Sequence, residues 1–230
     1  MTLPAPVPSP GSKPARRSGT ILPDHFAPAL ITVGGLALLM IVVQLVNGLM
    51  MSSTSAGLVQ FGIESRDLGG LLGVLTAPLI HGSWGHLLAN LIPLLVLGIL
   101  LFVGGVRQFV AVTIVVWLVS GLGVWLFGPA NTLTVRASGL VFGWLAYLVA
   151  RGVFTRNWAQ IGIGLLLLAL WGGIFWTGII KTAWLDVTGE TGVSWQGHLF
   201  GALGGVLAAF LVARADRTVD ATVQSRPALS

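Results

Sequence analysis

Polar residues are clustered along this chain, and apolar runs long enough to cross a bilayer lie between the clusters. A transmembrane helix needs about 20 predominantly apolar residues. Six stretches fit: 27–49, 86–104, 107–127, 138–154, 159–180 and 195–213. They predict an all-α membrane protein, a bundle of six transmembrane helices. Residues 1–24 are rich in Pro, Ser and Ala and carry Lys13, Arg16 and Arg17. They lack the apolar surface to fold alone and read as a disordered tail. Arg16-Arg17 before an apolar run has the form of a twin-arginine signal. The run 26–50 is too long for one and has no clean small-residue cleavage site, so it reads as a retained first span. The helical domain then covers 25–213, and the polar segment 214–230 reads as a second disordered tail. The connection 51–80 is long for a loop in a compact bundle. Its Phe61, Ile63, Leu68, Leu71, Leu72, Val74 and Leu75 predict a short amphipathic segment lying in the membrane interface.

Composition agrees with the pattern. Hydrophobic residues make up 55% of the 230 and charged residues 8%, with a mean hydropathy of +0.92, whereas a soluble domain averages about 25% charged. The absence of cysteine excludes disulfides, thiol chemistry and thiolate metal sites. The net charge of +5 sits in short loops and tails, where it reports topology rather than nucleic-acid binding. With the N-terminus inside, the inner segments hold Lys13, Arg16, Arg17, Arg107, Arg151, Arg156, Arg214, Arg217 and Arg226. The outer ones hold only Arg66, Arg136 and Lys181. Nine against three places both termini in the cytoplasm.

That orientation changes the meaning of the few polar groups within the spans, where such groups are costly. His86 and Asn90 lie in "HGSWGHLLAN" (81–90), His198 in "SWQGHLFGALGG" (194–205), and Ser138 at the head of span 4. Spans 2, 4 and 6 all run from outside to inside, so these four residues share one depth near the outer face. His86 and Asn90, four apart, share one helical face. Gly139 and Gly143 in span 4, and Gly197, Gly201 and Gly205 in span 6, have small-xxx-small spacing that permits close backbone packing. Ridges that face one another would bring serine and imidazole within reach, although such ridges also occur for packing alone.

A serine hydroxyl needs a base to become a nucleophile, and neutral imidazole is the usual one near pH 7. Ser138 and His198 supply both. Asp24, Glu64, Asp67, Asp186, Glu190, Asp216 and Asp220 all fall outside the spans, so the arrangement is a dyad without a third carboxylate. Backbone N–H groups in the first turn of span 4, with His86 and Asn90, offer donors for an oxyanion. Each residue alone has an ordinary reading: Ser138 a cap at the helix start, His198 a packed histidine, Asn90 interhelical glue. The chain has no HExxH, no aspartate in a span for aspartyl chemistry, and no intramembrane carboxylate for proton-coupled transport.

The segments "HGSWGHLLAN" (81–90), "ASGLVFG" (137–143) and "GHLFGALGG" (197–205), in that order and topology, resemble the rhomboid family of intramembrane serine proteases. The resemblance extends over most of 27–213. It implies a six-helix rhomboid-like bundle in a cell membrane, the bacterial inner membrane, that cleaves transmembrane helices of other proteins near the outer face. It implies Ser138 as nucleophile, His198 as base, and His86, Asn90 and the backbone at Gly139 as oxyanion donors. It also implies His81 as a structural histidine and Phe142 as the aromatic residue packed on the catalytic imidazole. No cofactor or metal is required. The expected partners are transmembrane substrates and membrane lipid; nucleic acid is not among them, and the oligomeric state is left open. Two departures stand out. Arg136 occupies the first glycine of the family's GxSG, and "GIESRD" (62–67) lacks the proline of related bacterial members. The arginine opens the alternative of an inactive rhomboid-like binder of membrane proteins.

Overall fold

The computed structural model describes residues 26–53, 57–135, 137–181 and 195–224. Its principal helices are α1 (Phe26–Ser53), α2 (Trp84–Phe102), α3 (Gly105–Phe127), α4 (Ser138–Thr155), α5 (Trp158–Phe175) and α6 (Trp195–Gln224). Among the described residues, five helices are long and apolar enough to cross a membrane: all but α5. The regular part of α5 ends at Phe175, short of the expected 180, and the chain continues as a π turn, Trp176–Lys181. The Thr177 hydroxyl donates to the Gly173 carbonyl at 2.8 Å. A hydroxyl bonded back to the preceding turn competes with the backbone N–H for that carbonyl. The other departure is at the C-terminal end. Helix α6 does not stop at 213 but runs to Gln224, across most of the segment expected to be a disordered tail. Residues 214–224 contain neither Gly nor Pro to end it. Asp216 on this extension pairs with Arg151 of α4 at 2.6 Å.

Helix α4 is the centre of the bundle. Every residue from Ser138 to Tyr147 is buried, and its most extensive contact is with α6. The two glycine ridges face each other. A Cβ on Gly201 would collide with the Gly139 carbonyl, and one on Gly205 with the Gly143 carbonyl. In lipid there is little hydrophobic drive between helices, so such close approach supplies the packing energy that holds them together. Helix α3 lies against both, and α1 packs Val33 and Met40 into the core beside α2.

The segment 57–83 is a chain of short elements: 3₁₀ turns Gly57–Phe61, Gly69–Leu72 and Ala77–Leu79, the α turn Gly73–Thr76, and strand β1 (Ile63–Glu64). β1 pairs antiparallel with β2 (Leu133–Thr134), Ile63 opposite Thr134. Side-chain hydrogen bonds pin this segment to α3. Trp117 Nε1 donates to the Val74 carbonyl (2.8 Å), Trp125 Nε1 to Asp67 (2.7 Å), and Ser65 Oγ to Val124 (3.0 Å). The segment has two faces: Ile63, Val74 and Ala77 are buried against Val124, while Phe61, Leu68, Leu72 and Leu75 are exposed. An amphipathic segment at a membrane interface has this division.

Gly201→Val should force α4 and α6 apart, with a destabilisation of about 1–3 kcal/mol seen as a lower melting temperature in detergent. Gly172→Ala, where an added Cβ meets nothing within 4 Å, should not lower it.

Candidate active site

The first helical residue of α4 is Ser138; the N-cap position belongs to Ala137, and no side chain caps the helix. The serine is therefore not the cap that its position at the helix start allowed. Its hydroxyl is directed across to α6, where Oγ lies 2.8 Å from His198 Nε2. The approach follows from the glycine ridges. Ser138 adjoins Gly139 and His198 adjoins Gly197, and the Gly197 carbonyl is 3.2 Å from where a Gly139 Cβ would stand. Both polar residues are buried, at 9% and 6% exposure. Phe142, one turn along α4 from Ser138, stacks on the imidazole with ring centroids 4.2 Å apart and planes 7° from parallel. The ring is thus held flat on one face while its edge meets the hydroxyl.

The second helix supplies the other polar groups. The α2 N-cap is Ser83, in extended conformation, whose Oγ accepts from the His86 N–H at 3.2 Å. Asn90 is buried, and its Nδ2 donates to the His86 carbonyl at 2.9 Å. This bond fixes the amide plane and uses one of its two N–H groups. The His86 ring centroid is 6.0 Å from that of His81. His81 is wholly buried at the end of the interfacial segment. Arg136 lies outside the described residues.

Two further residues were not singled out from the sequence. Ser120 of α3 donates its hydroxyl to the Gly197 carbonyl at 2.9 Å, immediately before His198. It also touches the position a Gly139 Cβ would take. A lone serine in an apolar helix is common, so only its place across from Gly197 distinguishes it. Asn47 of α1 is fully buried. Its Nδ2 donates to the His81 carbonyl (3.1 Å), and its Oδ1 accepts from the Leu58 N–H (2.7 Å). An amide inside an apolar span was a visible signal. Beside Ser138 is a recess of about 30 Å³, lined in part by Ala77, Pro78, Ser120, Gly139 and Gly197. That is room for a water molecule among polar partners.

Comparison with known proteins finds similarity over most of this region. The family model of the rhomboid domain matches residues 68–215. An uncharacterized protein of Mycobacterium tuberculosis and one of Mycobacterium bovis are each 45% identical over 166 residues, covering 70% of this chain and 67% of theirs. One of Mycobacterium leprae is 42% identical over 168 residues, covering 70% of this chain and 63% of its own.

Ser120→Ala removes the bond to Gly197 and should lower stability by about 0.5–1.5 kcal/mol, the net worth of an ordinary hydrogen bond. Thermal unfolding in detergent measures it; an unchanged melting temperature would mean that this tie contributes nothing.

Proposed function

The chain belongs to the rhomboid family, and we propose that it is an intramembrane serine endopeptidase that cuts transmembrane helices of other proteins near the outer face of a bacterial inner membrane. The observation that carries this reading is the 2.8 Å contact between Ser138 Oγ and His198 Nε2 in a buried layer of the bundle.

In the mechanism, Nε2 of neutral His198 accepts the hydroxyl proton as Ser138 Oγ adds to the carbonyl carbon of the scissile peptide. The tetrahedral oxyanion needs donors. Leu140 and Val141 already donate their N–H groups to the Ala137 carbonyl, so the N–H groups of Ser138 and Gly139, ahead of any intrahelical acceptor, are the ones for this task. The side chains of His86 and Asn90 complete the set. The imidazolium then returns its proton to the departing amine, leaving an acyl-enzyme on Ser138. Water from the recess, deprotonated by His198, hydrolyses the ester and regenerates the hydroxyl. Phe142 limits ring rotation through these steps, and Ser120 positions His198 through Gly197. Both termini are cytoplasmic in this reading, which puts Arg107, Arg151, Arg156, Arg214 and Arg217 at the inner end of the bundle and the serine at the outer end.

A second reading is a non-proteolytic relative that captures membrane helices. One observation favours it: Arg136 stands where the family pattern has glycine, two residues before Ser138.

A fluorophosphonate probe should label the wild type, and Ser138→Ala should abolish both labelling and cleavage of tagged transmembrane substrates. The expected loss in rate is at least about 10³-fold, as for removal of a serine nucleophile elsewhere. Well-folded wild type that neither labels nor cleaves would establish the binder instead. Arg136→Gly should raise turnover if the arginine crowds the oxyanion site; an equal or lower rate would show that it is tolerated or used.

A further inference from the structure

At the end of the bundle away from Ser138 there is a cavity of about 250 Å³, where the α2–α3 turn and the α4–α5 turn come together. Its polar walls are Gln108, Tyr147, Arg151 and Gln160, and Leu100 and Ile163 belong to its apolar side. None of these groups has a part in the proteolytic mechanism.

Two of the wall residues have unmet hydrogen-bonding capacity. Tyr147 is 1% exposed, and its hydroxyl has no hydrogen-bond partner. Arg151 has a side chain 14% exposed; its Nη2 pairs with Asp216 at 2.6 Å, but its buried Nη1 has no partner. Buried donors are nearly always satisfied, because leaving one unpaired in an apolar medium is costly. The two glutamines are only partly used: Gln108 Nε2 donates to the Leu101 carbonyl (3.3 Å), and Gln160 Oε1 accepts from Thr155 Oγ1 (3.0 Å). The wall therefore holds unpaired donors just beneath its surface, one of them cationic.

An acceptor that satisfies these donors together would carry several oxygens and negative charge, and it must reach a cavity inside a bilayer-embedded bundle. A phosphodiester on an acyl-glycerol backbone has both properties. The surrounding charge agrees, since Arg107, Arg156, Arg214 and Arg217 lie at the same end of the helices. Basic pockets between transmembrane helices on the cytoplasmic side are suited to lipid head groups. We propose that this cavity binds the phosphate of an anionic phospholipid. Arg151 Nη1 and the Tyr147 hydroxyl donate to its oxygens, and the acyl chains leave along the apolar side past Ile163. The pair with Asp216 holds Arg151 in place and leaves Nη1 for the ligand. The proposal is independent of catalysis.

The test uses delipidated full-length protein in detergent, titrated separately with phosphatidylglycerol, phosphatidylethanolamine and inorganic phosphate, with native mass spectrometry and thermal unfolding as readouts. Phosphatidylglycerol should bind about tenfold or more tightly than phosphatidylethanolamine, which carries the same phosphate but adds an ammonium that Arg151 and the neighbouring arginines repel, and should raise the melting temperature. Arg151→Gln should remove the preference. Tyr147→Phe loses only the hydroxyl, so it should leave the lipid-free protein at least as stable while weakening phosphatidylglycerol binding several-fold. Ser138→Ala should bind lipid as the wild type does. Equal retention of the two lipids, or undiminished binding by a folded Tyr147→Phe, would overturn the proposal. Stabilisation by inorganic phosphate alone to the level given by lipid would overturn its assignment to lipid and point to a free phosphate compound.

Discussion

The backbone contact between α4 and α6 is the constraint on which the site depends. Gly139 and Gly143 meet Gly201 and Gly205 so closely that no side chain fits between them. Without that approach Ser138 and His198 would stand a side-chain layer apart, and a hydroxyl and an imidazole are too short to bridge it. The same contact buries both polar groups, which raises the strength of each electrostatic interaction between them. The packing of α4 on α6 and the placement of the candidate site are therefore set by one contact.

Around this contact the polar groups form a supporting layer. Asn47 ties α1 to the segment that ends at His81, and Ser120 ties α3 to the turn bearing His198. Asn90 is held by its own helix. Each of these side chains has a hydrogen bond to backbone, which is the economical way to keep a polar group inside a membrane protein. A site built on helices and braced in this way is more precisely held than one on loops.

Much of this was legible in the sequence because the bilayer imposes strong rules. Apolar length marked α1 to α4 to within a few residues, and the glycine spacing marked the α4–α6 ridge. The rarity of polar residues in spans drew attention to His86, Asn90 and His198. What was not legible depended on local competition or on tertiary placement. The passage of α5 into a π turn comes where a threonine hydroxyl bonds to a carbonyl of the preceding turn. The continuation of α6 to Gln224 reflects the absence of a breaker, where polarity alone had read as disorder. The 3₁₀ turns and the two-residue β pairing of the interfacial segment carry no periodicity long enough to register. Ser120 is one serine among apolar neighbours, and only its partner at Gly197 gives it meaning.

Helix α3 has a consequence of its own. Along its length it holds the interfacial segment through Trp117 and Trp125 and the approach to His198 through Ser120. It thus serves as a common datum for two parts of the molecule that are distant in sequence and meet at the site. Displacing it would move the side of the recess formed by Ala77 and Pro78 together with the imidazole, preserving their relative alignment, whereas distortion within α3 would disturb both at once. Lesions along this helix should therefore combine non-additively, in a way that lesions confined to α1 would not.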